Sequence, residues 1–162
     1  MRPLNLYIET SVFGFLWDDT ERNASKREAT ETLFQQVEEG KLNGFVSEIT
    51  GAELARIPDK DLREAFLERF TSLSPLSPPK QEDLERAANL LIAARIVPEG
   101  WTEDALHLAT VLLSPMLDAL VTWNYKHLAN EGAKRLVRSL ALREGYHEAF
   151  DIVTPPEAIL YE

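Results

Sequence analysis

Four oxygen-bearing side chains stand out by type and place: Glu9, Glu53, Asp104 and Asn124. Glu9 follows the alternating run Leu4-Asn5-Leu6-Tyr7-Ile8, and the two hydroxyl residues after it, Thr10 and Ser11, can orient a carboxylate or donate to a phosphate. Glu53 stands four residues after Ile49 and four before Ile57, so on a helix it interrupts an otherwise apolar stripe. An ionised carboxylate in such a stripe is costly unless it is paired or holds a cation. A rim salt bridge to Arg56 is the plainer alternative. Asp104 falls in the first turn of a helix opening at Thr102, where the helix dipole alone favours acids such as its neighbour Glu103. It shares a face with His107, which is either a ligand partner or a packed, hydrogen-bonded ring. Asn124 follows Trp123 after the compact apolar run 119–122.

Such an all-oxygen set suits a hard cation, Mg²⁺ or Mn²⁺. Cysteine is absent, and His107, His127 and His147 lack the spacing of a zinc site. The 7 glycines form no phosphate or dinucleotide loop, and there is no Gly-x-Ser-x-Gly. What remains is metal-assisted hydrolysis or a non-catalytic module.

The elements that must position these residues follow from periodicity. Residues 4–8 alternate as a first strand, and Glu9-Thr10-Ser11 begins a turn or helix. Ala29, Leu33, Phe34 and Val37 keep helical spacing over 22–39, with Gly40 where a C-cap belongs. Residues 43–47 predict a second strand, with Ser47 capping a helix that ends before Pro58. A charged amphipathic helix covers 59–70. Three prolines then forbid a helix over 72–79, and further helices carry Leu84 to Leu91 and begin at Thr102. Residues 119–122 form an apolar strand, 132–144 a helix, and Ile152-Val153 a last short strand. Strands alternating with helices predict an α/β fold with a mainly parallel sheet of about four or five strands between two helix layers. In such sheets ligands bind beyond the carboxyl ends of the strands, so Glu9 and Asn124 project toward one rim.

The 162 residues, 44% hydrophobic, are sized for one domain spanning 1–162. A chain without cysteine suits a reducing, cytoplasmic setting. Residues 1–9 lack the pattern of a secretory signal, and the most apolar run, 105–113, is too short to cross a membrane. A net charge of -10 argues against nonspecific coating of nucleic acid. It leaves room for a metal-bridged phosphate site.

Four ordered stretches carry a resemblance: Leu6-Tyr7-Ile8-Glu9-Thr10-Ser11-Val12; Val46-Ser47-Glu48-Ile49-Thr50-Gly51-Ala52-Glu53-Leu54; Asp104-Ala105-Leu106-His107-Leu108-Ala109; and Asp118-Ala119-Leu120-Val121-Thr122-Trp123-Asn124-Tyr125-Lys126-His127-Leu128. Over about Leu4 to Val153 the chain resembles a PIN domain, the nuclease fold of VapC-type toxins in bacterial and archaeal toxin–antitoxin pairs. In that family an Asp follows the first strand, a Glu lies on the helix after the second, an Asp opens a later helix, and another Asp often follows the fourth strand. The matching residues are Glu9, Glu53, Asp104 and Asn124. Glu9 keeps the charge but moves the carboxylate by about one C–C bond. Asn124 keeps an oxygen and loses a charge, which would weaken a second cation site most. Asp118 precedes its strand and belongs at the opposite end, in a capping or turn role.

The resemblance implies a three-layer α/β/α PIN-like domain that hydrolyses RNA phosphodiesters with one or two Mg²⁺ or Mn²⁺ ions. Glu9, Glu53 and Asp104 would bind metal, Asn124 would complete the catalytic set, and Ser11 and Thr10 would support it. It further implies an RNA substrate, a small antitoxin partner, a homodimer and no membrane association. Between 126 and 143, Lys126, Lys134, Arg135, Arg138 and Arg143 face one acid, Glu131. The stretch reads as a guide for RNA phosphates, through Lys126, Lys134, Arg135 and Arg138, or as a solvated helix face. Trp123 reads as a base-stacking, core or dimer residue, Phe15 and Trp17 as packing or interface residues. His127 reads as packing against or capping a short helix after the fourth strand. The alternative is a catalytically weakened PIN-like domain acting as an RNA- or protein-binding module. A phosphatase-like or nucleotide-binding α/β domain is a third reading.

Overall fold

The alternation of Leu6, Tyr7 and Ile8 sends Leu6 and Ile8 to one face of a sheet and Tyr7 to the other, and two separate cores grow from that division. The computed structural model describes Met1–Leu160. Its strands are β1 (Asn5–Ile8), β2 (Asn43–Val46), β3 (Ser74–Pro75), β4 (Ala119–Val121) and β5 (Asp151–Val153). Its helices are α1 (Ser11–Gly14), α2 (Ala24–Glu38), α3 (Glu48–Ala55), α4 (Lys60–Thr71), α5 (Gln81–Ala93), α6 (Thr102–Leu112), α7 (Glu131–Glu144) and α8 (Pro155–Ala158), and a 3₁₀ turn at Glu21–Asn23 leads into α2.

All four strand pairings are parallel, in the order β3-β2-β1-β4-β5. Tyr7, Leu120 and Ile152 face α5, α6 and α7, where Leu91, Leu108, Leu112, Val137 and Leu140 complete one core. Leu6, Ile8, Val46 and Val121 face the other way, against Phe13 of α1, Leu33 and Phe34 of α2, Leu54 of α3 and Phe66 of α4. The result is the three-layer α/β arrangement with a parallel centre that the sequence pattern predicts.

Side-chain caps fix the starts of three of the longer helices. The Ser47 side chain accepts from the Ile49 N–H at the start of α3, Asp59 accepts from Leu62 at α4, and Asn130 accepts from Ala133 at α7. Gly145 ends α7 in the left-handed region at φ 73°, a conformation that favours glycine.

Two differences from the sequence reading trace to proline. The tract 72–79 contains a strand: Phe45 and Val46 pair with Ser74 and Pro75, and the Leu76 N–H reaches Val46 O at 2.8 Å. Pro75 is tolerated because β3 lies at the sheet edge. Pro155 and Pro156 open α8, where first-turn amides have no helical partner to lose, and Thr154 and Glu157 close a capping box.

Candidate active site

β1 connects to β2 on one side, while its other neighbour is β4, so the strand order reverses at the carboxyl ends of β1 and β4. That reversal is where open α/β sheets form a ligand crevice. An open pocket of about 590 Å³ lies there, lined by Glu9, Thr10, Ser11, Phe15, Glu53, Trp101, Asp104, Trp123, Asn124, Lys126 and His127. All four oxygen-bearing residues picked out by sequence, with both supporting hydroxyls, therefore share one wall system.

Glu9 is 3% exposed, and its burial is matched by donors. The Ser11 N–H (3.1 Å), the Ser11 hydroxyl and the Thr122 hydroxyl (2.8 Å) all donate to Glu9 Oε1. Ser11 Oγ in turn accepts from the Trp123 N–H at 2.9 Å, and Thr122 Oγ1 from the Asn124 N–H at 2.9 Å. The hydroxyls thus stitch the end of β1 to the end of β4. Thr122 is a partner of Glu9 that sequence reasoning missed, since it read only as the end of a strand.

Glu53 is held from the other side of the sheet. Its Oε1 lies 2.5 Å from His107 Nε2, His107 Nδ1 lies 2.6 Å from Tyr7 Oη, and Tyr7 Oη lies 2.7 Å from Ser47 Oγ. Burial opposes the charge on Glu53, but the hydrogen bond from His107 and the field of that ring outweigh it and hold the carboxyl below its usual range. The ionised carboxylate can only accept, so Nε2–H of His107 donates to it. Thr10 Oγ1, 3.3 Å from the same nitrogen, is a weaker partner. The fully buried His107 is the hydrogen-bonded ring among its two sequence readings. Arg56 does not pair with Glu53 here; its guanidinium bonds Glu103 instead.

Asp104 faces both acids. Burial first, then the charge of Glu9, pushes its carboxyl up to about 6, with Glu53 adding to the shift and His107 and His127 opposing it. The Asn124 amide donates to Asp104 Oδ2 at 3.1 Å, while its Oδ1 accepts from the His127 N–H at 3.1 Å. Asn124 therefore ties α6 to a turn after β4, where the sequence reading placed a short helix. An aspartate at 124 would have no donor for Asp104 and would repel it.

The donor chemistry fits a hard cation: three carboxylates line one pocket, each with one oxygen anchored by the protein (Glu9 Oε1, Glu53 Oε1, Asp104 Oδ2), and the charge of the other two raises the proton affinity of the third. Among the described residues, no group of three His, Asp or Glu side chains is already drawn tightly enough to hold an ion.

The basic residues divide. Lys126 lines the pocket. Lys134 pairs with Glu131 at 3.4 Å and with Asp151 at 3.6 Å, at the amino end of β5. Arg138 lines a hollow with Asp118 and Asp151 at that same far end, and Arg135 is an exposed residue of α7 outside the acidic pocket. Asp118 lies at the end of the sheet away from the acids, as expected, but in place of a capping or turn role it accepts from the Asn5 N–H of β1 at 2.7 Å and pairs with Arg2 at 2.8 Å. Trp123 is anchored through its indole N–H to Thr30 Oγ1 at 3.0 Å and packs near Phe15, with the Lys26 ammonium over both rings. Trp17 is exposed outside the pocket.

Comparison with known proteins adds evidence on fold. The sequence matches no protein-family model, and no curated protein matches it. Among solved structures, a chain of VapBC2 from Rickettsia felis, crystallised with a DNA fragment from its promoter, superposes with a TM-score of 0.54 at 13% identity. The match covers 93% of this chain and 98% of that one. At this identity the likeness is one of architecture: the five-stranded parallel sheet with its flanking helices is a PIN-like fold.

Proposed function

We propose that this chain is a metal-dependent endoribonuclease of the VapC-like kind, the toxin of a toxin–antitoxin pair, hydrolysing RNA phosphodiester bonds. The observation that carries the reading is the meeting of Glu9, Glu53 and Asp104 in one pocket at the strand-order reversal of a PIN-like fold. Those three carboxylates would hold Mg²⁺ or Mn²⁺, and an ion bound there supplies a water of lowered pKa and neutralises charge on the phosphate. The protein's own part is positioning. Ser11 and Thr122 fix Glu9, His107 fixes Glu53, and Asn124 fixes Asp104.

The Rickettsia felis complex supports a small antitoxin as partner. A homodimer and a cytoplasmic setting accompany that assignment. Among the described residues no helix is long and apolar enough to cross a membrane. The test is incubation of the purified protein with structured RNAs and Mn²⁺ or Mg²⁺. Cleavage should vanish with EDTA and in Asp104→Ala; activity that survives that substitution overturns the assigned site.

One observation favours a second reading, a catalytically weakened PIN-like module that binds RNA or protein. Asn124 stands where a fourth carboxylate would serve, and both ends of its amide are engaged. A gain of cleavage and Mn²⁺ affinity in Asn124→Asp would favour this reading over the first.

A further inference from the structure

We propose that Trp101 and His127 form a nucleobase-stacking subsite that seats an unpaired base of single-stranded RNA beside Asp104. The inference rests on the nuclease reading and names the form of substrate its pocket takes. Trp101 is 48% exposed, and its ring meets that of His127 with centroids 4.8 Å apart at 54°. Both rings line the acidic pocket. Trp101 stands on fixed backbone: its N–H bonds Pro98 O at 3.1 Å, and its carbonyl accepts from Ala105 at 3.2 Å, closing the first turn of α6. His127 is fixed through its N–H to Asn124, whose amide bonds Asp104. The ring pair is therefore tied to both residues on the near wall of the site.

Its chemistry contrasts with that of the other tryptophan in the pocket. Trp123 has its indole N–H satisfied by Thr30 and its ring packed near Phe15, so it is a structural residue. Among the described residues the Trp101 indole N–H has no hydrogen-bond partner, and Trp101 leaves about half of its surface to solvent while lining the pocket. An aromatic face accepts any base, and a base can reach it only when it is not already stacked within a duplex. Stacking also supplies affinity that charge does not, because the chain carries -10 overall and, among the described residues, Lys126 is the lone Lys or Arg lining this pocket.

The experiment uses a short single-stranded RNA with one 2-aminopurine, first in EDTA, where cleavage does not compete, and then with Mn²⁺. Wild-type protein should quench the probe. Trp101→Ala should weaken binding roughly 5- to 150-fold, as loss of one stacked base does, with Trp101→Phe retaining most of the affinity. In cleavage, the same substitution should raise KM with little change in kcat, and an abasic nucleotide at the probe position should erase the difference between variant and wild type. His127→Ala, read the same way, serves as the second variant should Trp101→Ala fail to fold. Wild-type-like quenching in both folded variants, or equal competition by a duplex of the same sequence, overturns the subsite. Quenching that depends on Trp101 without any Mn²⁺-dependent cleavage leaves the subsite standing and overturns the nuclease. Cleavage lost in Asp104→Ala with KM unmoved in Trp101→Ala does the reverse.

Discussion

At the scale of single residues, the site is governed by what holds each carboxylate rather than by the carboxylates alone. With Glu53 ionised, His107 Nε2–H donates to it, while the Tyr7 hydroxyl meets the opposite ring nitrogen, Nδ1, at 2.6 Å and fixes the plane of the ring. Removing the ring frees Glu53 to turn away. His107→Ala is therefore expected to weaken Mn²⁺ binding about 10- to 100-fold, the range for loss of an outer partner of a metal ligand. Calorimetric titration checks this, and unchanged affinity in a folded variant would show that His107 only packs. Asp104 has the opposite character. Its carboxyl is raised from 3.8 to about 6, so the folded state keeps this proton at pH values where the unfolded state has released it. The stability it contributes is present below about 4 and is lost as pH rises through about 6. Metal-free Asp104→Asn should then melt higher than wild type at pH 7.5, by roughly 2–4 °C for each kcal/mol of repulsion relieved, and at the same temperature near pH 4. Mn²⁺ should stabilise the wild type more than this variant, because binding to the folded state alone raises its melting point. A melting advantage of the variant that does not change with pH would contradict the electrostatic origin.

At the scale of elements, Ser47 links two tasks. Its hydroxyl caps α3, the helix that carries Glu53, and it touches the Tyr7 hydroxyl at the start of the chain that holds Glu53 from the far side. Ser47→Ala should cost about 0.5–2 kcal/mol in urea unfolding, the usual range for a lost N-cap. Mn²⁺ affinity should fall with it, whereas a cap elsewhere, such as Asp59→Ala at α4, should lower stability alone. The capping role of Ser47 was legible in the sequence, as were Glu9, Asp104 and Asn124, because strand ends and helix first turns leave local signals, and Glu53, because it interrupts an apolar helical stripe. The Tyr7–His107 contact was not legible. It depends on β1 presenting Tyr7 to the α6 face, a pairing of residues 100 positions apart that no local spacing encodes. β3 was hidden for a different reason: proline rules out a helix and argues against a central strand, but it says nothing against an edge strand of two residues. Trp101 escaped notice because exposure and the contact with His127 are tertiary facts.

At the scale of the whole molecule, net charge and its distribution decide how the proposed RNA substrate would be met. The run from Lys126 to Arg143 is basic in sequence, but helix α7 spreads it over the molecule. Lys126 stays at the acidic pocket, while Lys134 and Arg138 lie by Asp151 and Asp118, at the other end of the parallel strands. On the proposed nuclease reading, a substrate seated over Asp104 would meet few fixed cations, and metal ions would have to supply most of the charge neutralisation. Each phosphate neutralised by a protein cation on single-stranded nucleic acid contributes about -0.7 to the slope of log K against log salt concentration. With Mn²⁺ held constant, the expected slope for single-stranded RNA is about -1, the value for one or two such contacts. Four engaged basic residues would instead give about -3. Lys126→Glu should flatten the slope and weaken binding, whereas Arg138→Glu should change neither. A steep slope that Arg138→Glu reduces would place the RNA along α7 and move the nucleic-acid surface away from the acidic pocket.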